Sequence, residues 1–347
     1  MKVGLLEGPG RLALADRPAP RAGAGEVVVE LAACGVCGTD LEKVRGNYQT
    51  AGRLGHEPVG RVVELGDSVT GLALGDRVFV HHHVPCLECA VCARGEYTFC
   101  PSYARTNIDP GGFSERFRVP RENVERHAVL PLDDSVDWAT GTLLEPAACA
   151  LTALHRVGFA RGDTVFVTGL GPVGLLYVAI AKALGARWVG GAELSARRRD
   201  AARAHGADAV VDPRTSGFAE AAVREATAGV GVDLSVAATG VPAAVRLSAE
   251  LPRRGGTLNL FGLPESGSRL DVDLQKLYLQ GMRVVPTYAT TEPDIREVHS
   301  MLVDGRLDLR GLVSDLVPLE RIQEAFDRAR DAEHALKVAV TGPAYRR

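Results

Sequence analysis

Short apolar runs separated by turn residues dominate the first third of the chain. Three of them are typical of β-strands: Glu26 to Leu31, Gly60 to Glu64 and Asp76 to Val80. The turn Gly66-Asp67-Ser68 separates the second run from the third. Apolar residues that alternate along a strand place one face in a core. This part of the chain is therefore predicted to form a compact, mostly antiparallel β domain with a core of valine and leucine.

From about Asp163 the pattern changes to strands that alternate with helices. Strands are predicted at Thr164 to Thr168, Trp188 to Ala192, Ala209 to Val211, Leu234 to Ala238 and Thr257 to Phe261. Helices are predicted at Leu175 to Leu184 and Ala196 to His205. This alternation favours a parallel sheet covered by helices on both faces, for which the doubly wound dinucleotide-binding fold is the obvious candidate.

The pattern becomes mixed again after about Pro286. A helix is predicted behind Pro318 by apolar residues at helical spacing, namely Ile322, Ala325, Phe326 and Ala329. The segment from Lys337 to Val340 alternates like a closing strand, and we expect this tail to return to the first domain. The expected organisation is a β domain over residues 1–150, a nucleotide-binding domain over 151–286 and the returning tail over 287–347.

The composition is that of a folded protein with nearly balanced charge. Of the 347 residues, 46% are apolar and 24% are charged, and 40 basic against 43 acidic side chains leave a net charge of -3. This balance provides no surface for a polyanion, so we expect no nucleic-acid partner. The longest uncharged run, Thr164 to Ala181, is interrupted by glycine and proline and is interpreted as strand, turn and helix. No secretory h-region develops among the first residues, and we expect a cytoplasmic protein without membrane segments.

Four of the seven cysteines fall within fifteen residues: Cys86, Cys89, Cys92 and Cys100. In a cytoplasmic protein, cysteines at such spacing bind metal more often than they form disulfides. Four thiolates match a closed tetrahedral zinc site that orders a loop and leaves no open position for chemistry. A structural zinc is therefore predicted, with an iron–sulfur cluster or four separately buried thiols as the alternatives.

A glycine-rich turn follows the first strand of the alternating region. Its pattern G-x-G-x-x-G is made by Gly169, Gly171, Pro172, Val173 and Gly174. Between a strand and a helix, such a turn lets the backbone approach a pyrophosphate at the positive end of the helix. The alternative is a glycine-rich turn that binds no nucleotide.

An acidic residue suited to bind a ribose stands nineteen residues beyond Gly174. Glu193 follows the second predicted strand, where its carboxylate can accept hydrogen bonds from a ribose 2′-hydroxyl and would repel a 2′-phosphate. This favours NAD over NADP. Arg197, Arg198 and Arg199 come shortly afterwards and either accommodate a 2′-phosphate or form a solvated helix face, which keeps NADP open.

A second set of metal-binding side chains is dispersed along the chain. Cys37, His56, Glu57 and Glu145 offer a thiolate, an imidazole and two carboxylates, the donor types of a catalytic zinc with an exchangeable position. Spacing alone does not assemble them. Taken singly, His56 is most often a satisfied core histidine, Glu145 a carboxylate at a helix N-terminus and Cys37 a buried small residue.

Five motifs follow one another over nearly the whole chain. They are CGVCGTD around Cys37, GHE around His56, the four-cysteine loop, LLEPAACA around Glu145 and GLGPVG at the glycine turn. In this combination the chain resembles the zinc-dependent medium-chain dehydrogenases, and most closely their polyol (sorbitol-like) and threonine dehydrogenase branch. The resemblance implies a GroES-like, mostly antiparallel β catalytic domain joined to a doubly wound Rossmann domain.

The resemblance also implies how the dispersed residues are used. Cys37 and His56 match ligands of a catalytic zinc, and Glu57 matches a close or alternating ligand. Glu145 matches the carboxylate of the polyol branch. Asp40 matches the carboxylate that orients the histidine ligand.

A proton relay and a cofactor site are implied in the same way. Thr39 matches the hydroxyl that passes on the substrate proton. The family usually ends this relay on a histidine three residues later, where this chain has Glu42, so the relay ends on Glu42, on water or on a ribose hydroxyl. Arg198 matches an arginine at the adenosine end of the cofactor. The strand end that would face the nicotinamide ribose consists of Phe261, Gly262 and Leu263.

Together these features predict an oxidoreductase with two zinc ions per chain. It would transfer a hydride between NAD(H) and a secondary alcohol or ketone, with a polyol, sugar, cyclitol or amino alcohol as the favoured substrate. The alternatives are a non-catalytic nucleotide-binding relative and a zinc-independent quinone or enoyl reductase. The resemblance also suggests a homodimer or homotetramer.

Two further segments bear on the site. The choice of substrate is expected to depend on the loops around Asn47-Tyr48 and Thr287-Tyr288. His81, His82 and His83 end a predicted strand, and alternation along a strand sends successive side chains to opposite faces. We therefore expect these three histidines not to share a metal ion.

Overall fold

The structure is a computed structural model that describes residues 1–46, 53–215, 217–270 and 273–346. The loop around Asn47 and Tyr48, expected to contact the substrate, lies outside the described residues. None of the helices in these ranges has both the length and the apolar character that a membrane span requires.

The N-terminal part is rich in strands. Its strands are β1 (Lys2–Gly8), β2 (Arg11–Asp16), β3 (Val27–Gly35), β4 (Glu57–Leu65), β5 (Arg77–Val80), β6 (Arg116–Val119) and β7 (Val129–Pro131). Its helices are α1 (Gly38–Arg45), α2 (Arg121–Glu125), α3 (Trp138–Gly141) and α4 (Leu144–Val157). Strand β3 is antiparallel to β4 and β6, and all of its residues are buried, which explains its unbroken run VVVELAACG. The mostly antiparallel character expected for this part is confirmed.

A parallel sheet follows in the middle of the chain. Its strands are β8 (Thr164–Thr168), β9 (Trp188–Ala192), β10 (Ala209–Val211), β11 (Val232–Ala237), β12 (Pro252–Leu260) and β13 (Arg283–Pro286). The helices between them are α5 (Pro172–Ala183), α6 (Ala196–Ala204), α7 (Phe218–Ala226), α8 (Pro242–Glu250) and α9 (Leu274–Gln280). The strand order β10-β9-β8-β11-β12-β13 is that of a doubly wound nucleotide-binding sheet, and ligands of such sheets bind beyond the carboxyl ends of the strands, where the order reverses beside β8.

The tail returns to the N-terminal sheet. Its elements are α10 (Glu292–Val303), β14 (Val313–Pro318), α11 (Ile322–Arg330) and β15 (Lys337–Thr341). Strand β15 pairs antiparallel with β3 and parallel with β14, which places the start of β15 beside the end of β3. The resulting seven-stranded sheet has the order β14-β15-β3-β4-β5-β7, with β6 paired to β3.

Helix α4 connects the two sheets through a shared core. It packs against α5 of the parallel sheet and against α10 of the tail, and Leu151 and Leu154 are fully buried there. Because α4 continues across residue 150, one rigid element spans the first expected domain boundary. The boundaries after residues 150 and 286 stay a prediction.

Candidate functional site

Three of the dispersed residues meet where β3 and β4 run side by side. Cys37 lies at the start of α1 and Glu57 is the first residue of β4, with His56 directly before it. The thiol of Cys37, a ring nitrogen of His56 and a carboxylate oxygen of Glu57 all lie within 4.8 Å of one another. Such a set of sulfur, nitrogen and oxygen donors fits a zinc ion that keeps a further position open.

Asp40 holds the histidine of this cluster. Its carboxylate is fully buried, lies 3.5 Å from Nδ1 of His56 and accepts hydrogen bonds from the backbone N–H groups of Gly55 and Cys37 at 3.2 and 3.3 Å. Burial alone would lower the pKa of His56, but Asp40 and Cys37 hold it well above its usual value. The contact of Nδ1 with Asp40 directs Nε2 toward the cluster, and through this nitrogen a neutral imidazole would bind zinc.

A buried lysine neutralises the carboxylate of Glu57. The ammonium of Lys337, at the start of β15, lies 2.6 Å from one carboxylate oxygen of Glu57 and 2.7 Å from the other. Burial alone would lower the pKa of Lys337, but Glu57 and Cys37 hold it above its usual value. The close approach needs Gly35, since a Cβ there would stand 1.8 Å from a Glu57 oxygen. Sequence reasoning missed Lys337, and its only signal is a lysine at the start of an apolar strand.

Glu145 is buried in the first turn of α4 but does not join the group of three. One of its oxygens accepts a hydrogen bond from the thiol of Cys149, one helical turn later, at 3.4 Å. Burial, followed by the negative charge of Glu145, raises the pKa of this thiol well above its usual value. Glu145 is thus a neighbour of the cluster, and its role as a metal ligand stays a prediction.

The two residues expected to carry the proton relay lie on α1. The hydroxyl of Thr39 lies 3.4 Å from Nε2 of His56, so it reaches the cluster. Glu42 keeps about a third of its side chain exposed and forms an ion pair with Arg45 at 2.7 Å. The ion pair with Arg45 links two residues one turn apart on the surface of α1. The place of Glu42 at the end of a proton relay stays a prediction.

The four loop cysteines form a compact tetrahedron. Their sulfur atoms all lie within 4.8 Å of one another, with separations of 3.9 Å for Cys86–Cys92, 3.9 Å for Cys89–Cys100 and 3.5 Å for Cys86–Cys100. A tetrahedral zinc with Zn–S bonds of about 2.3 Å requires sulfur separations of about 3.8 Å. None of the seven cysteines, all of which lie in the described ranges, forms a disulfide.

The charge state of the loop thiols also suits a metal. The backbone N–H of Glu88, followed by that of Cys89, lowers the pKa of Cys86 to about 6, whereas burial raises the pKa of Cys92 to about 12. Backbone N–H groups of Cys86, Cys92 and Ser102 donate to sulfur atoms of the cluster. The four residues therefore fit the predicted structural zinc. A bound cation would favour the thiolate form of the cysteines that are still protonated.

The glycine turn has the geometry that close approach to a phosphate requires. Gly169 follows β8 with φ = +89°, a conformation that favours glycine, and Pro172 is the first residue of α5. A Cβ on Gly174 would lie 2.0 Å from the carbonyl oxygen of Gly169, so only glycine permits this packing of helix on turn. At Gly171 the nearest obstacle is a guanidinium nitrogen of Arg198 at 3.7 Å, so the turn is open there.

Glu193 lies directly after β9, beside this turn. Its carboxylate accepts hydrogen bonds from the backbone N–H groups of Leu170 and Ser195 at 2.8 and 3.0 Å. Arg199 donates to the carbonyl oxygens of Glu193 and Leu194 and to Asp212, so its guanidinium is already engaged. Arg198 is half-buried over the turn, where burial lowers its pKa, and its Nε has no partner among the described residues.

The strand end expected at the nicotinamide ribose lies on the same edge of the sheet. The N–H groups of Phe261 and Gly262, just beyond β12, both donate to the carbonyl oxygen of Ala237 at the end of β11. The ring of Phe261 packs edge-on against Tyr177 of α5, with ring centres 5.3 Å apart, and Leu263 is exposed. The carboxyl ends of β8, β9, β11 and β12 thus bring the residues predicted for the cofactor to one edge.

The rings of the three consecutive histidines lie close together, with those of His81 and His83 centred 5.4 and 3.9 Å from that of His82, and not on opposite faces as alternation predicts. Nδ1 of His81 pairs with Glu292 at 2.8 Å, and Nε2 of His83 lies 3.3 Å from the side-chain amide of Asn107. The ring centre of His82 also lies 5.0 Å from that of His56. Within the described residues these three do not form a metal-binding group, although sequence reasoning gave His82 no place near the site.

Comparison with known proteins places the chain in a family. The model of the alcohol dehydrogenase GroES-like domain matches residues 23–130, and that of the zinc-binding dehydrogenase domain matches residues 172–304. Sorbitol dehydrogenase of Bacillus subtilis is 31% identical over 98% of this chain and 97% of its own length. L-threonine 3-dehydrogenase of Pyrococcus abyssi is 32% identical over 91% of each chain.

Solved structures agree with this assignment. A zinc-binding dehydrogenase structure from Sinorhizobium meliloti, bound to NADP, superposes with a TM-score of 0.88 at 28% identity and covers 98% of both chains. The GroES-like and Rossmann fold predicted from the motifs is thereby confirmed. The chain belongs to the zinc-dependent medium-chain alcohol dehydrogenase family, in the branch of the sorbitol and threonine dehydrogenases.

Proposed function

We propose that the protein is a zinc- and NAD-dependent dehydrogenase that oxidises a secondary alcohol of the polyol type or reduces the corresponding ketone. The observation that carries this proposal is the convergence of Cys37, His56 and Glu57 within 4.8 Å in a chain that also has a nucleotide-binding turn. A zinc ion held by these residues supplies Lewis acidity toward an alcohol oxygen, and NAD supplies the hydride acceptor.

The side chains around the cluster prepare it for this chemistry. Asp40 fixes the orientation of His56, and Lys337 balances the charge that Glu57 brings into a buried place. Thr39, 3.4 Å from His56, offers the hydroxyl that accepts the substrate proton and passes it outward. The outer end of the relay is Glu42, water or a ribose hydroxyl of the cofactor.

The favoured substrate class follows from the relatives. Sorbitol and threonine each carry a secondary hydroxyl next to a carbon with another polar group, and these are the compounds in the names of the relatives reported above. We therefore propose a polyol, sugar, cyclitol or amino alcohol rather than ethanol. The second zinc would be held by Cys86, Cys89, Cys92 and Cys100, which brings the total to two per chain.

NAD is the proposed cofactor. The carboxylate of Glu193 lies at the ribose end of the glycine turn, where it would accept hydrogen bonds from a 2′-hydroxyl and repel a 2′-phosphate. Arg199 is committed to backbone carbonyl oxygens and Asp212, which leaves Arg198 as the nearer cation. The Sinorhizobium meliloti structure contains NADP, so both cofactors belong in the test.

A homodimer formed through β13 is proposed as the assembly, and a homotetramer would pair two such dimers. This strand lies at the edge of the parallel sheet, and Val284 within it is partly exposed. Nearby α9 exposes Leu274, Tyr278 and Leu279, a combination of free strand edge and apolar surface that favours association. We also propose the cytoplasm as its location, because its clustered cysteines are free thiols suited to a reducing compartment.

The test combines a substrate panel with a metal analysis. Sorbitol, xylitol, L-threonine, 2,3-butanediol and ethanol are offered with NAD or NADP, and reduced nicotinamide is followed by absorbance. We expect a polyol or amino alcohol with NAD to give the highest kcat/KM and two zinc ions per chain to be found. Zinc-independent turnover of quinones or enones, or NAD binding without turnover of any panel alcohol, would instead favour one of the alternatives.

The substitution His56→Ala tests whether the zinc cluster is needed for turnover. We expect it to lower kcat by about three orders of magnitude or more and to remove one zinc per chain. NAD binding should persist, because the glycine turn belongs to the parallel sheet and His56 precedes β4 of the other sheet. His299→Gln serves as the control, because His299 contacts the backbone of Asp133 at 3.1 Å and is not part of the proposed site. Undiminished turnover in His56→Ala would refute zinc catalysis at this cluster.

A further inference from the structure

His82 lies beside the cluster of Cys37, His56 and Glu57, and the proposed mechanism does not use it. It follows β5 in the segment of three histidines, and its ring centre lies 5.0 Å from that of His56. The ring of His83 packs against it at a tilt, with ring centres 3.9 Å apart, and is in turn held by Asn107. This packing fixes the ring of His82 beside the cluster of Cys37, His56 and Glu57.

One nitrogen of this ring is buried and has no partner. Nδ1 of His82 makes no hydrogen bond to any described residue, although it is shielded from solvent. Buried polar atoms are nearly always paired, and a native exception calls for an explanation. A neutral imidazole has one donor and one acceptor nitrogen, so Nδ1 can pair with a hydroxyl or an amine in either role.

We propose that Nδ1 of His82 hydrogen-bonds a second oxygen or nitrogen of the substrate, next to the carbon that is oxidised. This inference rests on the proposed function, since it assumes that the reacting hydroxyl lies at the cluster of Cys37, His56 and Glu57. The ring of His82, centred 5.0 Å from that of His56, would then lie beside the polar group on the next carbon of the substrate. In a vicinal diol or amino alcohol this group supplies the partner that Nδ1 lacks. His82 would thereby select such substrates over simple secondary alcohols.

The experiment compares a vicinal diol with the alcohol that lacks its second hydroxyl. 2,3-Butanediol and 2-butanol are assayed with NAD in the wild type and in His82→Leu, which keeps a similar volume without polar atoms. We expect kcat/KM for the diol to fall by about tenfold or more and that for 2-butanol to stay within about twofold, because a site built for a polar group discriminates against loss of its partner.

Two further variants show which nitrogen matters. In His82→Asn the amide occupies about the position of Nδ1, whereas in His82→Gln it reaches toward the position of Nε2. We expect the asparagine variant to restore most of the preference for the diol and the glutamine variant to restore little. Zinc content is measured for every variant, and His299→Leu is the remote control.

Direct binding separates failure of this inference from failure of the proposed function. The affinity of the enzyme–NADH complex for sorbitol is measured by calorimetry, and we expect it to be about tenfold weaker in His82→Leu with zinc unchanged. Equal losses on diol and monoalcohol, or no loss on either, would overturn the role of His82 while leaving the dehydrogenase assignment intact. A wild type that neither binds sorbitol nor oxidises any panel alcohol would overturn both.

Discussion

The ion pair between Glu57 and Lys337 is the contact on which the charge balance of the site depends. Both side chains are almost completely removed from solvent, and residues 280 positions apart supply them. Burying two charges costs several kcal/mol for each ion, and close pairing offsets that cost. Removal of one partner leaves the other charged in a place that water cannot reach.

Lys337→Met is therefore expected to be strongly destabilising. We expect the free energy of unfolding of zinc-depleted protein to fall by about 3–5 kcal/mol, measured by urea denaturation, because Glu57 is left without a counter-ion. Lys2→Met is the control, since Lys2 pairs with Asp16 on an exposed surface and its loss should leave stability unchanged. A small effect of Lys337→Met would mean that Glu57 is neutral in the folded protein.

Two buried glutamates near the cluster could each be a metal ligand by their sequence motifs alone. Glu145 and Glu57 are both buried carboxylates near Cys37, yet only Glu57 lies within 4.8 Å of Cys37 and His56. Glu145 instead accepts a hydrogen bond from Cys149 on the same helix. Which carboxylate faces the metal depends on how β4, β15 and α4 pack together, and no local pattern encodes that packing.

At the scale of elements, the turn from β8 into α5 forms the proposed cofactor site. Gly174 is needed for the packing of the turn itself, since an added Cβ would collide with the carbonyl of Gly169 at 2.0 Å. Gly171 has open space around it, so the packing of the turn does not require glycine there. Its missing side chain would instead leave room for the phosphates of a bound nucleotide. The two glycines thus have separable tasks.

Alanine substitutions should separate these tasks. We expect Gly171→Ala to raise the Kd for NAD by about tenfold, equivalent to about 1.4 kcal/mol, while the melting temperature stays unchanged. Gly174→Ala is expected to raise the Kd and also to lower the melting temperature, because the helix must shift away from the turn. Fluorescence titration and thermal melting distinguish the two, and a lower melting temperature for Gly171→Ala would contradict this division.

The cysteine loop is the second element whose stability has a local origin. Cys92, Cys100 and Tyr103 form a small buried cluster of their own, separate from the main cores. A loop with so few apolar contacts would gain its order from a metal ion bound by its four cysteines. Its function is therefore expected to be structural.

Cys89→Ser tests this expectation. One zinc per chain should be lost, and the melting temperature should fall by about 4 °C, which corresponds to about 3 kcal/mol in a chain of this size. Glu88→Gln changes an exposed neighbour in the same loop and should leave both zinc content and melting unchanged. An unaltered melting temperature with one fewer zinc would count against a structural role.

At the scale of the whole molecule, the packing of α4 on α5 and α10 joins the metal cluster to the nucleotide-binding sheet. The buried face of α4 contains leucine and alanine, whereas its first turn contributes Glu145 beside the cluster. This arrangement ties the position of the proposed substrate site to that of the parallel sheet. Among the described residues β13 is the last strand of the parallel sheet, and the proposed homodimer would extend this sheet across two chains.

Val284→Lys should weaken that association. A lysine on the exposed face of β13 disfavours pairing with a second strand, and we expect sedimentation equilibrium to show a shift from dimer to monomer. Val303→Lys is the matched control, because Val303 is exposed to a similar extent but lies at the end of α10. A monomeric wild type, or an equal response of both variants, would exclude β13 as the contact.

The sequence by itself determined the features that depend on neighbouring residues. The strands β8, β9 and β10 begin and end at the predicted residues, because each is a short apolar run bounded by turn residues. Strand β12 begins at Pro252, five residues before the predicted start. The prediction missed these residues because their sequence, PRRGG, has the composition of a turn. The cysteine tetrahedron and the glycine turn were likewise predictable, since their residues lie within fifteen positions of one another.

Only the tertiary structure decided which distant side chains meet. Lys337 reaches Glu57 because β15 pairs with β3, and His82 approaches His56 because β5 pairs with β4. Strand pairing brings such residues together across many positions of sequence, while local patterns record only the element to which each residue belongs. The types of chemistry were therefore readable from the chain, but their arrangement around one site depended on the packing of its sheets.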